Sequence, residues 1–329
     1  MTFSRRRFLH LAAGAATVAV GPTGSRLARA QAYPDRPVRV VVGFTPGGPT
    51  DFIARIVALK LSERLGQQFY VENMPGANSN TATGRVAHAT PDGSTLLVVA
   101  SGFLINPSLY AKVPYDPVKD FAPVTLIATS PNVIAVNPAV PARTLAELVA
   151  LIRAAPGKYS FAGPGTGSSP HLSAELFRIH FNLDLAHVPF GGAAPAIGST
   201  IAGHTPIAFT AVQPAIESIK SGQLRALGVT SAKRIVSLPD VPTLAESGVE
   251  GQEAESFNAM VAPAGTPPQV VDMLYRETAR VVALPDVRDR LLALALDPVA
   301  NTPAEFAAWI KIELARWEKV VRTANIKVE

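Results

Sequence analysis

Two stretches of this chain alternate short β-branched runs with helical stripes, and that alternation constrains the fold more than any other feature. Val38–Phe44 is mainly β-branched and apolar, the pattern of a buried strand. Pro46-Gly47-Gly48-Pro49 breaks it. From Thr50 to Leu65 the apolar spacing turns helical, with Ile53, Ile56, Val57 and Leu61 on one stripe and Gly66 as the stop. Phe69–Val71 reads as a strand and Thr81 to His88 as a weaker helix. After the turn at Pro91-Asp92-Gly93, Thr95–Ala100 reads as another buried strand. Strand, helix, strand, helix, strand predicts an α/β class, a mostly parallel sheet flanked by helices.

The pattern restarts further on. Val133–Val136 is a strand, and Thr144-Leu145-Ala146-Glu147 reads as a capping box opening a helix. Tyr159–Phe161, the loop Gly163 to Pro170 and a helix from His171 to Phe181 repeat the strand–glycine-loop–helix unit. Ala186–Val188, a helix entered through Gly191-Gly192, and strands at Ile207–Phe209 and Leu224–Val229 follow. Ala259–Ala262 returns to strand character. Thr266-Pro267-Pro268-Gln269 and Thr302-Pro303-Ala304-Glu305 each read as a capped helix start, so the C-terminal segment is mostly helical. No fixed repeat or flexible linker separates the halves. The expected layout is two domains crossed twice by the chain, residues 31–132 with 254–329 forming one and residues 133–253 the other. A length of 329 residues suits two domains of about 150 each.

The N-terminus reads as an address. Arg5-Arg6-Arg7 precedes an apolar run from Phe8 to Val20, and Ala28-Arg29-Ala30 supplies a small-residue cleavage site before Gln31. The expectation is a signal peptide over residues 1–30, of the twin-arginine type, cleaved after Ala30 to leave a soluble periplasmic protein. An uncleaved anchor needs about 20 apolar residues, more than the run supplies. The same segment explains the basic charge. Of 30 Lys and Arg residues, Arg5, Arg6, Arg7, Arg26 and Arg29 lie here, and the rest of the chain balances its 25 acids. No nucleic-acid partner is expected from that balance. The chain has no cysteine, which excludes disulfides, thiolate metal sites and cysteine nucleophiles.

The glycine-rich loops are the candidate chemistry. Phe44-Thr45-Pro46-Gly47-Gly48-Pro49-Thr50-Asp51 in one half matches Gly163-Pro164-Gly165-Thr166-Gly167-Ser168-Ser169-Pro170-His171 in the other. A glycine turn into a helix start presents backbone N–H groups and the positive end of a dipole, so it holds an anion without a cationic side chain. The alternative is a pair of ordinary tight turns. Neither loop has the dinucleotide or P-loop spacing, and no nucleophile elbow occurs. Ser168 or Ser169 with His171 could form a nucleophile pair, although polar groups at a helix start, with Ser169 as cap, explain the same residues. The histidines show no metal spacing, and no general acid stands beside a general base. No metal or cofactor is expected.

A further set of residues resembles one family. Tyr33-Pro34-Asp35-Arg36-Pro37-Val38-Arg39 with the first glycine loop, Val71-Glu72-Asn73, Asn106-Pro107-Ser108-Leu109-Tyr110, His187-Val188-Pro189-Phe190, Leu238-Pro239-Asp240-Val241-Pro242-Thr243 and Ala262-Pro263-Ala264-Gly265-Thr266-Pro267 occur in this order. In that order they resemble the tripartite tricarboxylate transporter receptors, the Bug family, over residues 33–329. The resemblance implies a two-domain periplasmic binding protein of the Venus-flytrap type, non-enzymatic and monomeric, that closes on a small carboxylate and serves membrane permease subunits. It implies ligand contacts from Phe44, Gly47, Gly48, Pro49, Thr50 and Asp51, from Ser101, from Thr166, Gly167, Ser168, Ser169 and His171, and from Gly191, Gly192 and Ala193. Departures at Met74, Asn78-Ser79, Thr205-Pro206, Thr210 and Ser256-Phe257-Asn258 bear on the far end of the ligand. The rival readings are an exported serine hydrolase and a sensor subunit of a membrane signalling system.

Overall fold

The structure, a computed structural model, describes residues 33–252 and 254–326. The expected signal peptide and its cleavage site lie outside the described residues. β1 (Val38–Val42), α1 (Pro49–Leu65), β2 (Phe69–Asn73), α2 (Asn80–Ala87) and β3 (Thr95–Ala100) follow in the expected order. β1 lies between β2 and β3 and pairs with both in parallel, Val40 standing opposite Val71 and Leu96. α1 starts on Pro49, whose missing N–H is no loss in a first turn. It ends at Gly66, which takes the left-handed φ of +70° and donates its N–H to Ser62 O at 3.1 Å.

α3 (Gly102–Leu109) and the first twelve residues of β4 (Phe121–Val136) are not anticipated by the sequence pattern, and prolines hide both. Pro107 sits inside α3 and cannot donate to the Phe103 carbonyl four residues back. The Tyr115 hydroxyl donates to that carbonyl instead, at 3.1 Å. In β4, Pro123 falls where the register shifts, and Pro131 stands opposite Glu255.

The second unit comprises α4 (Leu145–Ala154), β5 (Ser160–Gly163), α5 (Ser169–Phe181), β6 (Ala186–Pro189), α6 (Ala193–Ile201), β7 (Ile207–Ala211), α7 (Val212–Lys220) and β8 (Arg225–Val229). Here β5 pairs in parallel with β6 and β7. β9 (Glu255–Pro263), α8 (Pro268–Ala283), α9 (Pro285–Ala293), β10 (Asp297–Pro298) and α10 (Pro303–Thr323) complete the chain. The strand order is β2-β1-β3-β9-β4-β7-β5-β6, with β8 and β10 also paired to β4. The two parallel groups are joined by long antiparallel strands. Residues 121–131 of β4 run beside β9, and residues 132–136 lie between β7 and β8.

Alternation along each strand builds a core on both sheet faces. On β3, Leu96 and Val98 pack with Ile53 and Leu274, whereas Leu97 and Val99 pack with Phe103, Phe306 and Trp317. α10 therefore returns the end of the chain to the first sheet. In the second unit Ile134, Val136, Phe161 and Phe209 share one core, and Val133 and Ala135 face another. Thr302 and Glu305 form the full capping box expected of α10. At α4 only half of the box exists: Thr144 accepts from the Glu147 N–H, but the Glu147 carboxylate accepts from the Arg143 N–H, one residue early. Thr266 is no cap, because its hydroxyl donates to Pro263 O at 2.8 Å.

Candidate functional site

Both glycine loops close on themselves by one device. In the first, Gly47 takes φ +90° and donates its N–H to Asp51 Oδ2 at 2.9 Å. The same oxygen accepts from Arg55 Nε at 2.9 Å, and Oδ1 accepts from Asn73 Nδ2 at 2.8 Å. Asn73 Nδ2 also donates to Phe44 O at 3.0 Å, so the end of β2 clamps the loop onto α1. Burial acts to raise the Asp51 pKa, but the bonds from Arg55, Gly47 and Asn73 outweigh it and hold the carboxyl below its usual range. Gly48, the residue before α1, is extended, with φ −79°.

In the second loop Gly167 takes φ +78° and donates its N–H to His171 Nδ1 at 3.1 Å. Ser168, not Ser169, is the helix cap: its hydroxyl accepts from the His171 N–H at 3.3 Å and donates to Gly165 O at 2.8 Å. Ser169 Oγ accepts instead from Asn132 Nδ2 at 3.1 Å. His171 is buried, stacked on His187 with ring centroids 4.1 Å apart and near Arg178, and its pKa is pushed down to about 3. The ring is therefore neutral with its proton on Nε2, as an Nδ1 that accepts a bond requires. His187 Nε2 is enclosed with no bonding partner among the described residues, and the ring packs against Phe161 and His171.

Each loop thus places a left-handed glycine before the cap and returns its N–H to the side chain at the third helical position. Phe52 and Leu172 are the first residues to reach carbonyls in helical fashion, to Gly48 O and Ser168 O, each at 2.9 Å. The earlier N–H groups of each helix have no carbonyl of their own helix to bond. Between the two helix starts lies a cavity of about 420 Å³.

Its wall includes Phe44, Gly48, Pro49 and Thr50 of the first loop, Gly167, Ser168 and Ser169 of the second, and Ser101 and Ala193. Gly47, Asp51, Thr166, His171, Gly191 and Gly192 stand outside that wall; Asp51 and His171 act on the glycine N–H groups behind it. Ser130 of β4 and Gln213 in α7 also line the cavity without having been anticipated, as do Asn78 before α2 and Ser256 and Asn258 of β9, which the sequence ties only to the far end of the ligand. Ser101 Oγ accepts from the Phe257 N–H at 3.1 Å, tying α3 to β9. Asn132, fully buried in β4, donates from Nδ2 to Ala254 O at 2.9 Å as well as to Ser169, so one side chain links β4, the approach to β9 and the start of α5. Among the described residues no cluster of His, Asp or Glu could hold a metal ion, and no helix is long and apolar enough to cross a membrane.

Residues 53–326 match the family model described as tripartite tricarboxylate transporter family receptor. The chain is 39% identical over 318 residues to a UPF0065 protein from the tcbD–tcbE intergenic region of Pseudomonas sp. strain P51, covering 96% of this chain and 94% of that one. It is 34% identical to the protein BugT of Bordetella pertussis, covering 91% and 93% of the two chains. Rpa4515 of R. palustris, solved with adipate, superimposes with a TM-score of 0.80 at 34% identity, over 90% of this chain and all of that one. MatC of Rhodopseudomonas palustris, solved with malate, gives 0.75 at 33% identity, over 88% of this chain and all of that one. The fold is that of the two-domain periplasmic binding proteins.

Proposed function

This chain belongs to the tripartite tricarboxylate transporter receptor family, and on that premise we propose that it is a periplasmic solute-binding protein that closes on a small carboxylated organic acid and delivers it to membrane permease subunits. The two lobes are residues 31–132 with 254–329 and residues 133–253. The observation that carries the reading is the pair of helix starts facing one cavity, one from each lobe. The first leaves the Thr50 and Asp51 N–H groups, and the second the Ser169 N–H, without a carbonyl of their own helix, because Pro49 and Pro170 have no N–H and Ser168 Oγ takes that of His171; the positive end of a helix dipole lies behind each set. A carboxylate accepting three or four charge-assisted bonds gains roughly 5–12 kcal/mol gross, and a micromolar complex needs about 8. Asp51 places a negative charge near the first helix start, but Arg55 and Asn73 neutralise and bind it, so it orders the loop without repelling the ligand.

The site favours binding over catalysis. The His171 ring accepts from Gly167 N–H, and the Ser168 hydroxyl donates to Gly165 O, so the pair is not arranged as base and nucleophile. Adipate and malate in two relatives are small carboxylates of the class proposed here. Thermal-shift assays of acids paired with their amides test the reading. A carboxylate at 100 times its Kd stabilises by about 2.7 kcal/mol, and the matching amide much less. Equal shifts for acid and amide would sink the backbone-anion grip.

A further inference from the structure

Most of the cavity wall is built to donate. It takes in the starts of five helices, at Pro49 and Thr50 of α1, Gly102 of α3, Ser169 of α5, Ala193 of α6 and Ala211 just before α7. A helix start offers backbone N–H groups and the positive end of a dipole, so these elements suit ligand oxygens that accept. A carboxylate, which accepts and has no hydrogen to give, satisfies them.

One patch of the wall has a different chemistry. The register sets Ser130 of β4 opposite Ser256 of β9, and Asn258 opposite both Ala128 of β4 and Ala100 of β3. Residues directly opposite in a pair share a face, as do residues two apart on one strand. Ser130, Ser256, Asn258 and Ala100 therefore lie on one side of the sheet, the side where Leu96 and Val98 pack on α1, and all four line the cavity. Ser130 Oγ and Asn258 Oδ1 are enclosed there and bond to no described residue, although the residues are only 4% and 5% exposed. Buried polar atoms are normally paired, so two of them on neighbouring strands at one cavity call for a partner. A carboxamide oxygen needs a donor, which a carboxylate cannot be, whereas the Ser130 hydroxyl donates or accepts. A ligand hydroxyl answers both, donating to Asn258 Oδ1 and accepting from Ser130 Oγ. It also answers the carboxamide turned the other way, because a hydroxyl accepts as well as donates. An ammonium donates too, but it brings positive charge to a wall of positive helix ends.

We infer that the ligand bears a hydroxyl group besides its carboxylate, and that Asn258 and Ser130 read that hydroxyl, which makes hydroxy acids the preferred solutes. This rests on the carboxylate reading above and deepens it, whether the ligand carries one carboxylate or two. Titration calorimetry on the wild-type protein tests it, with linear mono- and dicarboxylic acids of three to six carbons, each beside its 2-hydroxy, 3-hydroxy and 2-amino counterparts. The expected result is a hydroxy acid that binds on the order of tenfold or more tighter than its parent acid, and tighter than the matching amino acid. In Asn258→Leu, which keeps the side-chain volume and removes the carboxamide, that preference is lost, and in Ser130→Ala it is reduced. Parent acids that match every hydroxy counterpart in the wild type overturn the hydroxyl inference and leave the carboxylate reading standing. An amino acid that binds tighter than its hydroxy counterpart overturns the choice of hydroxyl over ammonium. A hydroxyl preference left unchanged by Asn258→Leu, or by Ser130→Ala should the leucine variant not fold, overturns the assignment to these two residues. No binding by any acid to a protein shown to be folded overturns the carboxylate reading and this inference with it.

Discussion

Gly47 and Gly48 are adjacent and do different work. Gly47 needs its left-handed φ, whereas Gly48 is extended and has nothing nearer than Thr45 O at 4.0 Å where a Cβ would go. A side chain at Gly48 therefore enters open space at the cavity wall. Gly48→Val is expected to fold with a loss of about 1 kcal/mol from the poorer cap and to lose ligand binding, checked by chemical denaturation beside calorimetry. Normal affinity in a folded Gly48→Val protein contradicts the placement of the ligand.

His171 makes a prediction of opposite character, on stability and pH. Its folded pKa of about 3 lies below the unfolded value near 6.5. As pH falls through 6.5 the unfolded chain takes up a proton that the folded ring refuses, so stability falls toward pH 4, by about 1.4 kcal/mol per pH unit for one such group. Glu255 and Glu313, pushed up by burial, act in the other direction over the acid range. The difference between His171→Gln and wild type isolates the histidine: the variant should lose less Tm between pH 6.5 and 4.5. Parallel curves contradict a buried neutral ring. At this scale the glycines and the helix-start residues were legible, because turn chemistry is local. Gln213 was not, because nothing in its neighbours reveals a helix whose first turn faces a cavity, and Asn78 stood out only as a departure, with no local sign of its left-handed turn.

Among the elements, those with a clean period were legible. β3 matches its expected bounds, Thr95–Ala100, and α1 begins one residue early, at Pro49. The two main failures, α3 and the long β4, share one cause. Proline reads as a breaker in a single sequence, yet its cost depends on whether another group takes the bond it forfeits. In α3 that group is Tyr115, and at β4 the irregular pairing with β9 accommodates Pro123. Tyr115→Phe keeps the buried ring, which packs on Phe103 and Phe121, and removes only the hydroxyl. It should cost about 1–2 kcal/mol by leaving the Phe103 carbonyl unbonded, read by urea denaturation. A change under about 0.3 kcal/mol contradicts the assignment, since surface-like substitutions without consequence fall in that range. The long β4 was the costliest omission for function. It carries Ser130 to the cavity and Asn132 to the junction of three elements, and a short strand at Val133–Val136 conceals both.

At the scale of the whole molecule, the proposed lobes share strands and are built on largely separate cores, which meet where Leu172 of α5 joins the cluster of Phe103 and Trp317 and where Ala295 joins that of Val133 and Ala135. The cores on the two faces of the first sheet draw on α1, α8 and α10, whereas those of the second unit are built mainly from α4 to α7 and their strands. A ligand touching both helix starts makes all its contacts only when the lobes are closed, and that differential affinity is what shifts the population. The proposed hinge lies at the crossings, near Pro131 in β4 and Ser256 in β9, at the end of the register that pairs Ser130 with Ser256 and Pro131 with Glu255. Alternation of strand and helix made the two units readable, while the antiparallel joining strands emerge only from long-range pairing. Small-angle scattering with and without a saturating acid, chosen from the thermal-shift assay and with binding confirmed by calorimetry, tests the central claim most directly. The account predicts a smaller radius of gyration in the bound protein, and an unchanged radius at full occupancy would contradict a ligand gripped between two closing lobes.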